Sequence, residues 1–501
     1  MKKVLIIITL LIISCLFVSC KEQTTNKEDI KPTKDFEVSS FITDNSLFQE
    51  ESKLLLSGKA EPGVVIEATI YDDNNKIISK DNSITDSSSN NWLVVLDTPR
   101  GNFEKYSIEI TDSYGLFKKT YKNIEFGKLW MIIGDYIQYD VLEENSQKEE
   151  ADDSNDFSHI SYLHIDNNEF KWIKQDSNQE NIDEFEYKFS KRLLEKYDMP
   201  IGIVNLTFEN SNIESFLSLS SINTISRIKE YLISTNKYVE NPSSSLDMSY
   251  IYNNYLSKIY NLSFEGILYN HGENDLTKFN SEEFLNFYFY SSMTLVEDLH
   301  KNFSKSSIYV LGAASNNNDV ICKLRSIQNS VTNYFSFTNL IPVFDLNIYQ
   351  NNTLYNVELN SLVARISNSI SSDKKFSKYA NLVYVTDDEE QITKIKVEFS
   401  NTDTIKVLNE NNLIDNNSIN YLDIYYDGEL LENVYEIVDN FLIINLEYKE
   451  IEIIDGVEKE VVKLYEKEKI TISYGEYGNL LDFNFVNEEE LPIIPFKIII
   501  K

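Results

Sequence analysis

The chain has 501 residues, of which 42% are hydrophobic and 13% are aromatic. This composition excludes a largely disordered chain, and the length allows two to four domains. The 46 Lys and Arg residues against 80 Asp and Glu residues give a formal net charge of -34. A negative field of this size repels phosphate backbones, so nucleic acid is not expected as a partner.

The first 20 residues have the pattern of a bacterial lipoprotein signal peptide. Two lysines precede an apolar run at residues 4–13, which is too short to predict a membrane span. Residues 16–20 read LFVSC and resemble a lipobox, whose cysteine takes the lipid, so Cys20 is the expected lipidation site. A lipobox ending at Cys15, which leaves a shorter apolar run before it, and an ordinary secretory signal are the alternatives. We therefore expect an exported protein that is anchored by its N-terminal lipid to the membrane of the cell envelope or surface.

Residues 21–35 (KEQTTNKEDIKPTKD) contain almost no large apolar side chain and are predicted to form a flexible tether. Cys322 is the only cysteine beyond the signal peptide. A disulfide framework and a cysteine metal site are therefore both excluded.

The remaining chain divides into three parts by its hydrophobic pattern. Residues 36–126 alternate short apolar runs with turns, which predicts an antiparallel β-sandwich. Residues 127–373 alternate strand-like and helix-like stretches, which predicts an α/β domain with a parallel sheet between helices. Residues 374–501 are again rich in strand patterns and predict a second β-domain, whereas residues 143–156 read as an acidic, solvated insertion.

Within the α/β domain the pattern also gives the individual elements. Strands are predicted at 129–133, 201–206, 266–269, 307–311 and 342–346, and helices at 185–197 and 284–303. Three of these strands end in polar stretches, at residues 134–136 (GDY), 205–210 (NLTFEN) and 269–275 (YNHGEND). Reactive groups in an open parallel sheet lie at the carboxyl ends of the strands, so we expect these three stretches to meet at one site.

Taken in order, these stretches resemble sequence blocks of the sialate O-acetylesterase family, a branch of the SGNH hydrolases that removes acetyl groups from sugar hydroxyls. Residues 127–138 (GKLWMIIGDYIQ) resemble the family's G-E-V-W-L-x-S-G-Q-S-N-M, and residues 266–275 (GILYNHGEND) resemble its G-V-I-W-Y-Q-G-E-S-N. Residues 200–205 and 213–216 match parts of a third block. The resemblance implies an SGNH, flavodoxin-like three-layer α/β/α domain flanked by the two β-domains.

Three positions of the family's catalytic machinery carry other residues. Tyr136 stands at the position of the nucleophilic serine, and Glu209 or Asn210 replaces the glycine whose N–H helps to form the oxyanion hole. The family base lies in a late D-x-H-P motif, where this chain has Tyr355 and no histidine follows His300. Loss of the nucleophile or the base of a serine hydrolase costs on the order of 10⁶ in turnover. The ancestral esterase activity is therefore predicted to be absent.

The resemblance leaves a residual cleft. Its expected members are Gly134, Asp135, Asn205, Glu209, His271, Gly272, Glu273 and Asn274. Residues 272–275 fit the G-x-N-D pattern of SGNH hydrolases, in which the asparagine donates to the oxyanion. His271, Glu273 and Asp135 can also form a new acid/base cluster, although a hydrogen-bonded structural turn is the alternative. No metal or cofactor is expected, and His159 and His164 are expected at the surface.

Three functions remain open at this point. The first is a binding or structural module for a carbohydrate, because the inherited cleft accommodated sugars and Tyr136, Tyr269 and Tyr355 can stack on sugar rings. The second is an active carbohydrate esterase or other hydrolase that uses relocated groups around His271 and Glu273. The third is a purely structural surface lipoprotein whose cleft has filled in.

Overall fold

The structure is a computed structural model. It describes residues 36–136, 157–166, 169–175, 183–209, 211–303, 306–314, 320–346, 356–371, 376–387, 391–407, 422–431, 435–454, 457–475, 485–489 and 491–500. The predicted signal peptide with Cys20, the tether, the acidic insertion and Tyr355 lie outside these residues.

The strands of the described residues are, in chain order, β1 (Glu37–Val38), β2 (Leu47–Gln49), β3 (Lys53–Lys59), β4 (Val65–Asp72), β5 (Ile77–Ile84), β6 (Asn91–Asp97), β7 (Asn102–Asp112), β8 (Lys118–Asp135), β9 (Ile160–Asp166), β10 (Glu169–Lys174), β11 (Ile201–Phe208), β12 (Gly266–Asn270), β13 (Ser307–Leu311), β14 (Thr338–Ile341), β15 (Lys378–Thr386), β16 (Ile392–Ser400), β17 (Ile405–Val407), β18 (Leu422–Tyr426), β19 (Glu429–Leu430), β20 (Tyr435–Val438), β21 (Phe441–Asn445), β22 (Glu447–Ile454), β23 (Val457–Leu464), β24 (Ile470–Tyr474), β25 (Phe485–Asn487) and β26 (Phe496–Ile499). The helices are α1 (Glu184–Tyr197), α2 (Leu219–Thr224), α3 (Ser226–Ser234), α4 (Tyr250–Asn254), α5 (Glu282–Asn302), α6 (Ile321–Tyr334) and α7 (Asn356–Ser371). The chain is therefore mixed α/β, as predicted.

A mainly parallel sheet forms the centre of the molecule, with strand order β10-β9-β11-β8-β12-β13-β14. All neighbouring strands run parallel except β10, which pairs antiparallel with β9. The strands β8, β11, β12, β13 and β14 follow the order 2-1-3-4-5 of a flavodoxin-like sheet. The β9–β10 ribbon extends this sheet beyond β11.

Helices cover both faces of the sheet because its strands are apolar on both sides. Leu129, Met131 and Ile133 of β8 lie in one apolar core with α5 and α6. The alternate residues Trp130 and Ile132 lie in a second core with α1 and α7. The central region thus has three layers, with the sheet between two layers of helices.

Strand β8 is 18 residues long and belongs to two sheets. Its first half pairs antiparallel with β7 and parallel with β2 in the N-terminal region, and its second half pairs with β11 and β12 in the central sheet. The N-terminal region packs this β5-β4-β7-β8 layer against the sheet β1-β3-β6. The predicted domain boundary between residues 126 and 127 falls inside β8, so no linker separates the two regions there.

A buried charge cluster reinforces this junction. Glu125 of β8 is fully buried and contacts Lys105 of β7, Lys174 of β10 and His159. His159 Nδ1 lies 2.7 Å from Glu125 Oε1. The prediction that His159 is a surface residue is therefore wrong, because the histidine is held by a buried carboxylate.

The C-terminal region contains two four-stranded antiparallel sheets, β15-β16-β21-β20 and β19-β18-β24-β26. Their inward residues, including Val397, Ile444, Ile472 and Ile498, form a third apolar core. Among the described residues no helix is long and apolar enough to cross a membrane.

One predicted strand is misplaced. The strand predicted at 342–346 is β14, which ends at Ile341. The apolar run continues because Val343 and Phe344 are buried as loop residues, 4% and 2% exposed. Pro342 also lacks the N–H that would extend the strand pairing. The sequence of these buried loop residues therefore resembles that of a strand, although they do not pair with one.

Gly134 of β8 pairs with Asn270 of β12 and has φ +126°. A Cβ at this position would overlap the Asn270 carbonyl oxygen, so only glycine fits. We expect Gly134→Ala to lower the free energy of unfolding by at least about 3 kcal/mol, since it adds a backbone clash to the cost of positive φ. Urea denaturation measures this loss.

Gly63→Ala is the matched control. Gly63 has φ +78°, and no heavy atom lies within 4 Å of its added Cβ. This variant should lose only about 1 kcal/mol. Equal losses for the two variants would show that the contact with Asn270 is not what constrains Gly134.

Candidate functional site

A cavity of about 660 Å³ opens at the carboxyl edge of the central sheet, beside the ends of β8 and β11. Helix α1 begins at this edge, where Asp183 meets Tyr136, and it leads into β11, which runs back to the same edge. The cavity is lined by Tyr136, Tyr162, Leu163, His164, Ile165, Ile173, Asp183, Glu186, Ile203, Asn205, Leu206, Thr207, Phe208 and Tyr255. Its volume is in the range of small-molecule sites, roughly 300–1,000 Å³.

Tyr136, at the position that the sequence resemblance assigns to a nucleophile, contacts the N-cap residue of α1. Its backbone N–H donates to Phe208 O at 3.0 Å, and its hydroxyl donates to Asp183 Oδ2 at 2.8 Å. Burial and the negative charges of Asp183 and Glu186 raise the pKa of Tyr136 above its ordinary value. The phenol therefore stays protonated at neutral pH and cannot act as an anionic nucleophile.

Asp183 is the N-cap of α1 and accepts a hydrogen bond from Phe185 N at 2.8 Å. Burial is the main reason why its pKa is raised. Glu186, one turn into the helix, is 8% exposed, and burial followed by repulsion from Asp183 raises its pKa to about 7. The cavity thus holds two carboxyl groups that gain protons more readily than carboxyl groups in water.

Asn205 links the cavity wall to Glu186. Its side-chain amide donates to Glu186 Oε1, and its Oδ1 accepts the N–H of Thr207 at 2.8 Å. Both ends of the Asn205 amide therefore have partners within the wall. The side chain serves to orient Glu186.

A separate, buried cluster lies beneath the ends of β8 and β12. Asp135, Ser211 and His271 are 4%, 3% and 2% exposed. Ser211 Oγ lies 3.4 Å and His271 Nε2 lies 3.7 Å from the same oxygen, Asp135 Oδ1, while Gly272 N donates to Asp135 Oδ2 at 2.7 Å. Burial raises the pKa of Asp135, although His271 and the Gly272 N–H oppose this shift.

The protons of this cluster follow from its hydrogen bonds. Tyr288 Oη donates to the His271 carbonyl oxygen at 2.9 Å, so His271 Nδ1 must donate in turn to Tyr288 Oη, 3.0 Å away. His271 Nε2 has no hydrogen-bond partner. In acyl transfer the imidazole contacts the serine hydroxyl, whereas here a carboxylate lies between them and all three groups are buried.

The other predicted residues lie around this cluster. Glu209 and Asn274 are exposed, and Asn274 Nδ2 donates to Glu209 O at 3.0 Å. Glu273 is half-buried and accepts the N–H of Ala314 at 2.7 Å. Tyr269 is only 3% exposed, so the prediction that it faces the cleft is wrong. Its position on β12 points it into the core with α5.

The eight predicted residues therefore do not form one cleft. Asp135, His271 and Gly272 are brought into contact, and Gly134 lies buried beside Asn270. Asn205 instead lines the cavity together with Tyr136. Within the described part of the chain, no serine hydroxyl is hydrogen-bonded to His271, and no three His, Cys, Asp or Glu side chains are grouped to hold a metal.

The sequence analysis did not identify several of the residues that line the cavity. Asp183 followed by Glu186 has the spacing of a capping box before an apolar helix, which would have placed both at a helix N-terminus. Phe170 and Trp172 of β10 show the alternation of a strand, which would have revealed the ribbon that carries His164. His164 is exposed as predicted but lies on the cavity wall, which only the pairing of β9 with β11 determines.

No protein-family model matches the chain, and no curated protein matches it. Among solved structures, a carbohydrate acetylesterase from Xanthomonas citri superposes with a TM-score of 0.67 at 14% identity, covering 92% of this chain and 99% of that chain. A family two carbohydrate esterase from Clostridium thermocellum in complex with cellohexaose reaches a TM-score of 0.29 at 11% identity, covering 67% and 96% of the two chains. A protein from Arabidopsis thaliana reaches 0.34 at 14% identity, covering 49% and 98%.

The last two TM-scores do not indicate a shared fold. The chain therefore shares its fold with the carbohydrate acetylesterase from Xanthomonas citri over nearly the full length of both chains.

Glu186 generates a prediction about stability and pH. Its pKa is raised from 4.5 to about 7 in the folded protein, so the folded state holds its proton more tightly than the unfolded state. The stability that protonated Glu186 contributes is therefore present below about pH 4.5 and is lost as the pH rises to about 7. Glu186→Gln removes this titration and keeps an oxygen for the Asn205 amide.

We expect the variant to be more stable than the wild type by roughly 3 kcal/mol at pH 8, but not at pH 4. Urea denaturation of both proteins at each pH measures the difference, in which the other titrating groups cancel. A difference that does not change with pH would contradict the assignment to Glu186.

Proposed function

We propose that this chain is an exported, lipid-anchored carbohydrate-binding protein of sialate O-acetylesterase ancestry that does not hydrolyse esters. The observation that carries the proposal is Tyr136, whose hydroxyl donates to Asp183 on the wall of the 660 Å³ cavity. Tyr136 follows the end of β8, at the position where the family has its nucleophile. We infer that this tyrosine contacts a bound carbohydrate instead.

The loss of hydrolysis is supported by chemistry at three points. Tyr136 has a raised pKa and so offers no phenolate. His271 is buried. Its Nε2 lies 3.7 Å from an oxygen of Asp135 and has no hydrogen bond to a serine within the described residues. Asn274 Nδ2, the donor that the G-x-N-D pattern assigns to the oxyanion, instead donates to Glu209 O at 3.0 Å.

Carbohydrate binding is supported by the composition of the cavity wall. Tyr136, Phe208 and Tyr255 provide aromatic faces, and the Phe208 and Tyr255 ring centroids lie 5.1 Å apart. Asp183, Thr207 and His164 add groups that can hydrogen-bond sugar hydroxyls. Aromatic faces together with a few polar groups are the usual lining of small-molecule sites.

A hydrolase built on His271 and Glu273 is the alternative. Glu273 accepts the N–H of Ala314, which follows β13, and lies near the charge of Arg325 on α6. His271 is 2% exposed, which leaves no room for substrate without rearrangement. The alternative therefore requires the buried cluster to open.

The test combines two measurements on the mature protein. Incubation with O-acetylated sialosides should release no acetate above the uncatalysed rate. A panel of sialosides and β-linked glucans, with and without O-acetyl groups, should contain a ligand whose affinity falls about tenfold in Tyr136→Ala, because an aromatic contact is lost.

Tyr136→Phe keeps the ring and should bind within about twofold of the wild type. Tyr114→Ala is the control, since Tyr114 is 41% exposed in the N-terminal region. Acetate release that His271→Ala abolishes would overturn the proposal in favour of the hydrolase. Failure to bind any glycan would favour a purely structural protein.

Membrane anchoring is tested at the two candidate cysteines. Cys20→Ala should move the protein from the membrane fraction to the soluble fraction, because the residue that takes the lipid is lost. Cys15→Ala is the matched control and should remain in the membrane fraction. Retention of the Cys20 variant, or release of the Cys15 variant, would contradict lipidation at Cys20.

A further inference from the structure

A neutral carbohydrate does not account for the charge of the cavity beside Tyr136. Asp183 and Glu186 line this cavity, and none of its lining residues in the described part of the chain is Lys or Arg. His164 is the one lining residue there that can become a cation. The wall therefore carries two carboxyl groups without a permanent positive charge beside them.

Glu186 has an oxygen that is open to a ligand. The side chain is 8% exposed, and its Oε1 accepts a hydrogen bond from the Asn205 amide. Its Oε2 has no hydrogen bond within the described residues, yet it is not among the fully enclosed atoms that lack a partner. Because Glu186 lines the cavity, Oε2 can accept a hydrogen bond from a molecule bound there.

The negative charge of Glu186 is not balanced by its surroundings. Burial and repulsion from Asp183 raise its pKa to about 7, and within the described residues the neutral Asn205 amide is the group that opposes this shift. A carboxylate that is buried to this degree is normally paired with a cation. A positively charged group of a ligand would supply that partner.

Further acceptors lie beside Glu186. In addition to burial and the hydrogen bond to Asp183, the negative charges of Asp183, Glu186 and Glu209 raise the pKa of Tyr136. Since the Tyr136 hydroxyl gives its proton to Asp183, its oxygen can still accept a hydrogen bond. An ammonium group has three N–H donors and no acceptor, so it matches a wall of this kind.

The rest of the wall suits a ring better than a bare metal ion. In the part of the chain that the structure describes, no three His, Cys, Asp or Glu side chains are grouped to hold a metal. Phe208 and Tyr255 instead present aromatic faces, with ring centroids 5.1 Å apart. Aromatic faces bind the apolar surface of a ring and also attract a nearby cation.

We propose that the cavity beside Tyr136 selects a sugar with a free amino group, which Glu186 and Asp183 bind as the ammonium ion. This inference rests on the proposed function and adds the class of sugar. The ring packs on the aromatic side chains, as a neutral sugar would, and the ammonium group adds an ion pair. The field of a chain with a formal charge of -34 also attracts such a cation and disfavours anionic sugars.

Calorimetry of the mature protein with three sugars measures the selectivity. Glucosamine carries the free amine, N-acetylglucosamine carries it in neutral, acetylated form, and glucose has a hydroxyl at that position. A pH of about 7.5 lies above the pKa of Glu186, about 7, and below the value of about 8 that is typical of an α-amino group. Glucosamine should bind with a Kd of about 1 mM, at least about tenfold more tightly than the two neutral sugars.

Glu186→Gln removes the negative charge and keeps an oxygen for the Asn205 amide. It should weaken glucosamine binding about tenfold and leave glucose binding within about twofold, because only the ion pair is lost. Tyr136→Ala should weaken the binding of all three sugars, since it removes a contact with the ring.

Glu184→Gln is the matched control. Glu184 lies in the same turn of α1, contacts Lys188 at 3.4 Å and is not a lining residue of the cavity. This variant loses the same charge and should bind each sugar as the wild type does. Urea denaturation checks that the variants are folded.

The results separate this inference from the proposed function. Equal affinity for glucosamine and glucose, or a preference for glucosamine that Glu186→Gln retains, would overturn the inference, whereas binding that Tyr136→Ala weakens would leave the proposed function standing. Cyclohexylamine binding as tight as that of glucosamine would also overturn it, since the site would then select amines and not sugars. Failure of all three sugars and of the wider glycan panel to bind would overturn both.

Discussion

The architecture depends on one constraint, which is that strand β8 belongs to two sheets at once. Its first half completes a layer of the N-terminal region, and its second half is the central strand of the parallel sheet. Since the pairing of an 18-residue strand fixes the register of both sheets, the position of its carboxyl end cannot shift independently. The buried Glu125, with Lys105, Lys174 and His159 around it, stabilises the same junction, because removing a partner would leave a buried charge unpaired.

The end of β8 then separates two chemical environments that are adjacent in sequence. Gly134 allows β12 to approach, and this approach buries Asp135 against His271 and the Gly272 N–H. Tyr136, one residue later, turns to the opposite side and meets the first turn of α1 at Asp183. Asp135 and His271 are therefore inside the protein, whereas Tyr136, Asp183 and Glu186 lie on the cavity wall.

The two cavities show how charge can be distributed independently of the net charge. Two carboxyl groups lie on the wall of the cavity beside Tyr136, where burial raises the pKa of Glu186 to about 7. Lys323, Arg325, Lys378 and Lys497 line a second cavity, between α5, α6 and the C-terminal β-region, although the whole chain has a formal charge of -34.

The sequence by itself determined the mixed α/β class, the end of β8 at Gly134-Asp135-Tyr136, the helices α1 and α5, and the absence of a serine at position 136. These features are local, because hydrophobic periodicity and residue identity encode them directly. The sequence analysis placed β14 four residues too late and did not find the β9–β10 ribbon.

Only the tertiary structure decided which of the polar residues face a cavity. His271 and Tyr269 are buried by α5, whereas Asp183 and Glu186 reach Tyr136 because α1 runs back against the strands. Burial and strand pairing join residues far apart in the chain, and no local pattern specifies them.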